Sequence, residues 1–167
     1  LMSKVQGNIV DLLMPPLLDF EIVAAFTLAG ITRGVIVAIA TAAVMIPFID
    51  FQIHSLWVIL FFSVFASAIM SLVGFISGIW AEKWDHLGTV GNFVIVPLSF
   101  LSGTFYSISV LPEVIQQVSL INPFFYMIDG FRYGFIGASD ASLVVSFSVI
   151  FSLFIFLLIT SYFILKS

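Results

Sequence analysis

The sequence contains no cysteine, and only 8% of its 167 residues are charged. The first absence excludes a disulfide framework, a thiolate metal site and a cysteine nucleophile. The second excludes water as the solvent for most of the surface, because a soluble domain carries about 25% charged residues. A phosphate-cradling GxxxxGKS/T loop is missing too, so no nucleotide is bound by that device. There is no metal-spaced cluster, which leaves no cofactor expected in this chain, and no basic patch for nucleic acid. The start, LMSKVQGNIVDLL, lacks the basic opening, apolar core and small-residue cleavage site of a signal peptide. With Leu1 in first place, the chain reads as the later part of a longer protein.

What is present is apolar. Hydrophobic residues make up 62% of the chain, 20 of them phenylalanine, and mean hydropathy is +1.26. The apolar runs are long and continuous, which argues for membrane helices over the alternating segments of a β-barrel. About 20 helical residues cross the roughly 30 Å of hydrocarbon. Four runs reach that length: Phe20 to Phe48, Ser55 to Trp80, Thr89 to Tyr106 (only barely) and Leu143 to Leu165. Asp19 is the expected N-cap of the first, with Glu21 in its first turn, where negative charge suits the helix dipole. The fold expected is an all-α integral membrane domain over 1–167, a bundle of four transmembrane helices with short helices on either side.

Orientation follows from lysine and arginine, which favour the cytoplasmic side. Lys4, Lys83 and Lys166 fall on one side of a four-span bundle, and only Arg132 falls on the other. Residues 1–19, 81–88 and the C-terminus are therefore expected inside the cell. Asn8 to Met14 form a short amphipathic turn on that face, stopped by Pro15 and Pro16, since proline lacks the amide hydrogen. The outer connection, 107–142, is long. Pro112 and Pro123 stand where first helical turns begin, Asn122 is a good N-cap and Gly137 a good stop. Two short outer helices, re-entrant or interfacial, are expected there.

Several residues in this frame are candidates for function. Arg33 sits in the first span, where a charge costs several kcal/mol and normally faces a bundle interior or cavity. Counting about 20 residues back from Phe48 puts a boundary near Leu28, about 8 Å away, so Arg33 either snorkels to phosphates or lies along a substrate path. Gly30, Gly34, Ala38 and Ala42 repeat every four residues, as do Ser63, Ser67 and Ser71, with Gly74 and Gly78 following. Such stripes mark close helix seams, within one subunit or between two. Pro97, with Ser99, Ser102 and Thr104 nearby, marks a kink whose freed carbonyls hydroxyls can satisfy. Ser102-Gly103 raises a serine hydrolase, but the only histidines, His54 and His86, are in loops, and catalysis needs a base within reach. Asp129 and Arg132, three apart, share a helix face and either neutralise each other or touch a polar substrate leaving the outer face.

The run VPLSFLSGTFYSISVLPEVIQQVSLINPFFYMIDGFRYGFIG, 96–137, resembles the C-terminal signature of permease subunits of ABC-2 type transporters. The elements that carry the likeness are the proline-broken span ending in Leu101-Ser102-Gly103, the Leu111-Pro112 and Asn122-Pro123 pairs, and Asp129 with Arg132 before Gly137. The start, KVQGNIVDLLMPPLLDFEIV, is similar to the family's cytoplasmic coupling segment. The resemblance implies a bacterial inner-membrane export permease for polysaccharide, lipid or drug-like substrates, the C-terminal four spans of a family fold that has six. It also implies pairing with a second permease and with separate ATPase subunits that bind ATP and Mg. Gly7, Asp11, Leu12, Met14 and Pro15 would couple to the ATPase. Arg33, Pro97, Ser102 and Gly103 would serve the substrate path or helix packing. Pro112, Asn122, Pro123, Asp129 and Arg132 would form an outer gate. Competing readings are a fragment of an ion-coupled secondary transporter, which normally places acidic or basic relay groups at mid-membrane, and a structural scaffold.

Overall fold

The computed structural model describes residues 18–48, 53–81, 84–104 and 108–166. The coupling candidates Gly7, Asp11, Leu12, Met14 and Pro15 lie outside them. Among the described residues, three helices are long and apolar enough to cross a membrane: α1 (Asp19–Met45), α2 (Leu56–Trp80), and α7 (Leu143–Lys166), named in chain order with the shorter ones between. Those are α3 (Trp84–Val90), a π-helical segment (Gly91–Ile95), α4 (Val96–Phe100), α5 (Glu113–Ile121) and α6 (Pro123–Ile136). Among the described residues there is no strand.

Helix α1 starts one residue earlier than the N-cap expected for it. Leu18 is the N-cap, Asp19 is already helical, and the Leu18 amide donates to Glu21 Oε2 at 3.0 Å. Helix α2 is central, packing against α1, α6 and α7. Its contact with α7 is aromatic, with Phe61 and Phe62 meeting Phe147 at 4.5 and 5.1 Å and Phe65 meeting Phe151 and Phe154. In lipid the hydrophobic effect does not drive helices together, so such dispersion contacts and close backbone approach do.

The close approach is between α1 and α2. A Cβ at Gly30 would overlap Ser71, and one at Gly34 would overlap Ser67, so the two stripes read from the sequence meet inside one chain. Ser71 Oγ donates to the Phe26 carbonyl at 2.9 Å across the seam. The helices run antiparallel, with each pair of contacts one turn further along both.

The third expected span is shorter as a helix than 89–106. The helical run covers Trp84 to Phe100, with only Gly88–Phe100 strongly apolar, and it is interrupted by the π segment just before Pro97. Leu101, Ser102 and Gly103 then form a turn in which Gly103 has φ 74°. That left-handed backbone favours glycine and ends the helix. Hydropathy counted the apolar residues after Phe100 as helix, but the backbone there turns away.

Candidate functional site

Helices α5 and α6 form a hairpin joined at Asn122, and α6 is its anchored arm. Asn122 is the N-cap of α6, its Oδ1 accepting from the Phe124 amide at 3.0 Å, with Pro123 in the first turn. Gly137 is the stop, at φ 75°, with its amide donating to the Tyr133 carbonyl. Between them six residues are buried: Phe125, Tyr126, Met127, Asp129, Gly130 and Gly134. Gly130 lies against the Phe62 ring and Gly134 against Ile59, each so close that a Cβ would collide. Helix α6 therefore runs antiparallel to α2, and its N-terminal residues Phe125 to Met127 share a core cluster with Phe62 and Ile69 of α2 and Ile150 of α7. The C-terminal end meets the start of α2, whose His54 and Ser55 amides both donate to the Gly134 carbonyl, at 3.0 and 2.9 Å.

Asp129 and Arg132 are brought together, and with Asp140 they form a clamp. Arg132 Nη2 donates to Asp129 Oδ1 at 2.8 Å and to Asp140 Oδ2 at 2.7 Å. Asp129, 1% exposed, also accepts from the Asp140 amide at 2.9 Å and the Ala141 amide at 3.2 Å, and its Oδ2 lies 2.5 Å from Ser139 Oγ. A buried carboxylate is tolerated when its lone pairs are filled in this way. Burial works against the Arg132 charge, but Asp140 and then Asp129 outweigh it and hold the guanidinium pKa above its ordinary value. Asp140 further accepts from the Ile108 amide at 3.3 Å. The clamp thus ties α6 to the loop before α7 and to the single turn at Ile108–Val110.

Ser102 and Gly103 lie against this clamp, in a cleft with Phe125, Ile128, Asp129, Arg132 and Asp140 that has no room for a water molecule. The end of α4 explains its hydroxyls. The Leu98 carbonyl, which the helix would normally pair with the Ser102 amide, instead accepts from Asn122 Nδ2 at 2.6 Å, because that amide turns to Ser99 at 3.3 Å. The Ser99 carbonyl also accepts from the Ser102 and Thr104 hydroxyls. Irregular backbone at membrane depth persists only where it is satisfied by protein or water, and here side chains satisfy it. The hydrolase reading fails on the same geometry. Ser102 Oγ is committed to a carbonyl, His54 meets Tyr133 edge-on at the far end of α6, and His86 packs at a tilt against Trp80 at the opposite end of α2. Pro112 is the N-cap of α5, with its carbonyl accepting from Ile115 and Gln116.

Arg33 lies near the middle of α1, far from either end. Trp57 and Trp80, 83% and 68% exposed, mark the two ends of α2, about 34 Å apart, as interfacial tryptophans do. The Gly30–Ser71 and Gly34–Ser67 contacts set Arg33 level with Ala68, about 16 Å along the axis from Trp57 and about 18 Å from Trp80. A count from Phe48 sets a boundary near Leu28, whereas α1 begins at Asp19 and ends at Met45, which centres it next to Arg33. Its side chain is exposed, and it makes no ion pair among the described residues. A stem of three methylenes does not snorkel that far.

The sequence reading passed over Gly130, Gly134, Ser139 and Asp140 as site residues. Gly130 and Gly134 repeat the four-residue spacing already noticed in the first span, so the signal existed. Asp140 had none, since its partner is eight positions back across a helix end.

A family model described as ABC-2 type transporter matches residues 1–136. The chain is 40% identical over 149 residues to the inner membrane transport permease YadH of Escherichia coli (strain K12), covering 89% of this chain and 58% of that one. The same values hold for YadH of Escherichia coli O157:H7 and of Shigella flexneri. The chain thus spans about three-fifths, 58%, of the length of the curated relatives it matches. No solved structure matches it.

Proposed function

The chain belongs to the ABC-2 type transporter family, and we propose that it forms the membrane path of an ATP-driven exporter in a bacterial inner membrane. Its own role is transport and not catalysis, while ATP and Mg are handled by separate ATPase subunits. A second permease, identical or similar, completes the path, and the cargo is a polysaccharide, lipid or drug-like molecule. The relatives named as inner membrane transport permeases support the location and the role.

The observation that carries this reading is the dry, clamped α5–α6 hairpin beside an interrupted helix. A scaffold needs neither broken helix nor charges held at depth, whereas a path that opens and closes needs backbone and charge that can be re-satisfied in a second arrangement. Force applied by the ATPase to the segment around Gly7 to Met14 would pass into α1, through the glycine–serine seam into α2, and from the start of α2 into α6. ATP drives such a switch only by binding one arrangement better than the other.

The test is to purify the full-length protein with the ATPase encoded beside it and to measure ATP hydrolysis in nanodiscs. Asp11→Ala with Leu12→Asp is expected to abolish complex formation and the permease-dependent hydrolysis. Unchanged assembly and hydrolysis would overturn the coupling assignment.

A further inference from the structure

We propose that Arg33 is the anion-selecting position of the path, so that the exported molecule carries a negatively charged group such as phosphate, carboxylate or sulfate. This rests on the permease reading above. The first step is depth. Two independent seam contacts fix the register of α1 on α2 and place Arg33 midway between Trp57 and Trp80. A guanidinium stays charged at any physiological pH and needs water or counter-charge around it.

The second step is what the chain itself offers as counter-charge. Asp19 and Glu21 begin α1, more than ten residues away. Glu113 begins α5, and Asp129 and Asp140 are engaged with Arg132. Among the described residues no carboxylate lies level with Arg33. A second copy of the chain would bring the same inventory to a shared face. The neighbours of Arg33 on that face, Ile36 and Val37, are 60% and 57% exposed and apolar, so nothing beside it solvates the charge. An uncovered cation at mid-membrane, on the surface of the helix that would receive the ATPase stroke, is placed to meet anionic cargo in a watered path.

The chain has no cysteine, so a single introduced thiol reports cleanly. Val37→Cys, one turn from Arg33, is placed in the full-length permease with its ATPase in nanodiscs and treated with two thiosulfonate reagents, one sulfonated and one carrying a quaternary ammonium. Thiols in hydrocarbon stay protonated and unreactive. The expected result is labelling by both, faster for the anionic reagent, with the rate ratio falling about tenfold in Arg33→Gln, the size of one charge at close range in a partly watered site. No labelling, detected against full reaction after denaturation, would mean the face is closed to water and would overturn the proposal. An unchanged ratio would overturn the anion selectivity. Loss of the permease dimer in Arg33→Gln, read by light scattering, would assign Arg33 to a partner subunit instead. ATP hydrolysis by the unsubstituted full-length permease with its ATPase reports the permease reading separately: hydrolysis that does not depend on the permease would overturn that reading, whatever the labelling shows.

Discussion

Helices α1 and α6 divide the labour of the fold in opposite ways. Helix α1 has 27 residues and buries only Ile22, Val23 and Thr27, while α6 has 14 and buries six. The long helix is held by a narrow seam of small side chains and turns most of its surface outward. The short one is enclosed, capped at both ends and tied through a carboxylate to the loop before α7. Length determines whether a helix can cross lipid, but enclosure and polar satisfaction determine whether a shorter one can sit inside it.

The comparison breaks most severely at Gly130. Gly130→Leu drives a side chain into the Phe62 ring, itself packed by Phe61 and Phe147, and α6 is expected to lose its seat altogether. Size-exclusion chromatography in detergent should show aggregated protein; a monodisperse peak of normal yield would show that the seam is looser than described. Asp129→Ala comes next. It takes from Arg132 one of its two carboxylates and leaves two backbone amides without their acceptor, at a cost of about 3 kcal/mol. Thermal unfolding followed by tryptophan fluorescence should register it, and Asp129→Asn should recover only part.

On the other side of the comparison, Gly34→Leu should part α1 from Ser67 at a cost of about 2 kcal/mol, within the usual range for overpacking. Protease susceptibility of α1 should rise while α6 stays protected. Asn122→Ala removes a cap and orphans the Leu98 carbonyl, for about 1 kcal/mol. The smallest effect on stability belongs to Arg33→Gln, which breaks no contact among the described residues. A large drop in melting temperature for that variant would contradict the exposed position given to it.

Much of this difference was readable from residue order. Asn122, Pro123 and Gly137 announce the ends of α6 because their backbone requirements are local. Gly30 and Gly34 announce a seam, and so do Ser67 and Ser71, but spacing states only which face is small and not which helix it meets. The early end of the third span was hidden because hydropathy sums over side chains, whereas the helix stops through hydrogen bonds from Asn122, Ser102 and Thr104. The level of Arg33 is hidden for a related reason: a count from Phe48 sets one end of the span, but α1 ends at Met45, and only its register with α2 fixes the level of Arg33 on that helix. The clamp was half visible. Asp129 and Arg132 are near in sequence, while Asp140 enters only because the chain reverses at Gly137.

The two amides at the start of α2 that rest on the Gly134 carbonyl also bear on how the protein is made. On the ribosome, α2 leaves the exit tunnel and enters the lipid long before Gly134 is translated, so its first turn waits uncapped. Asp129 waits in turn for Ser139 to Ala141. Spans that insert independently and pack afterwards are the general course in bilayers, and here α6 is clamped only after the residues that follow it have emerged. A chain truncated before residue 139 and released from the ribosome should hold α1 and α2 in the membrane while its hairpin stays unclamped and open to proteases.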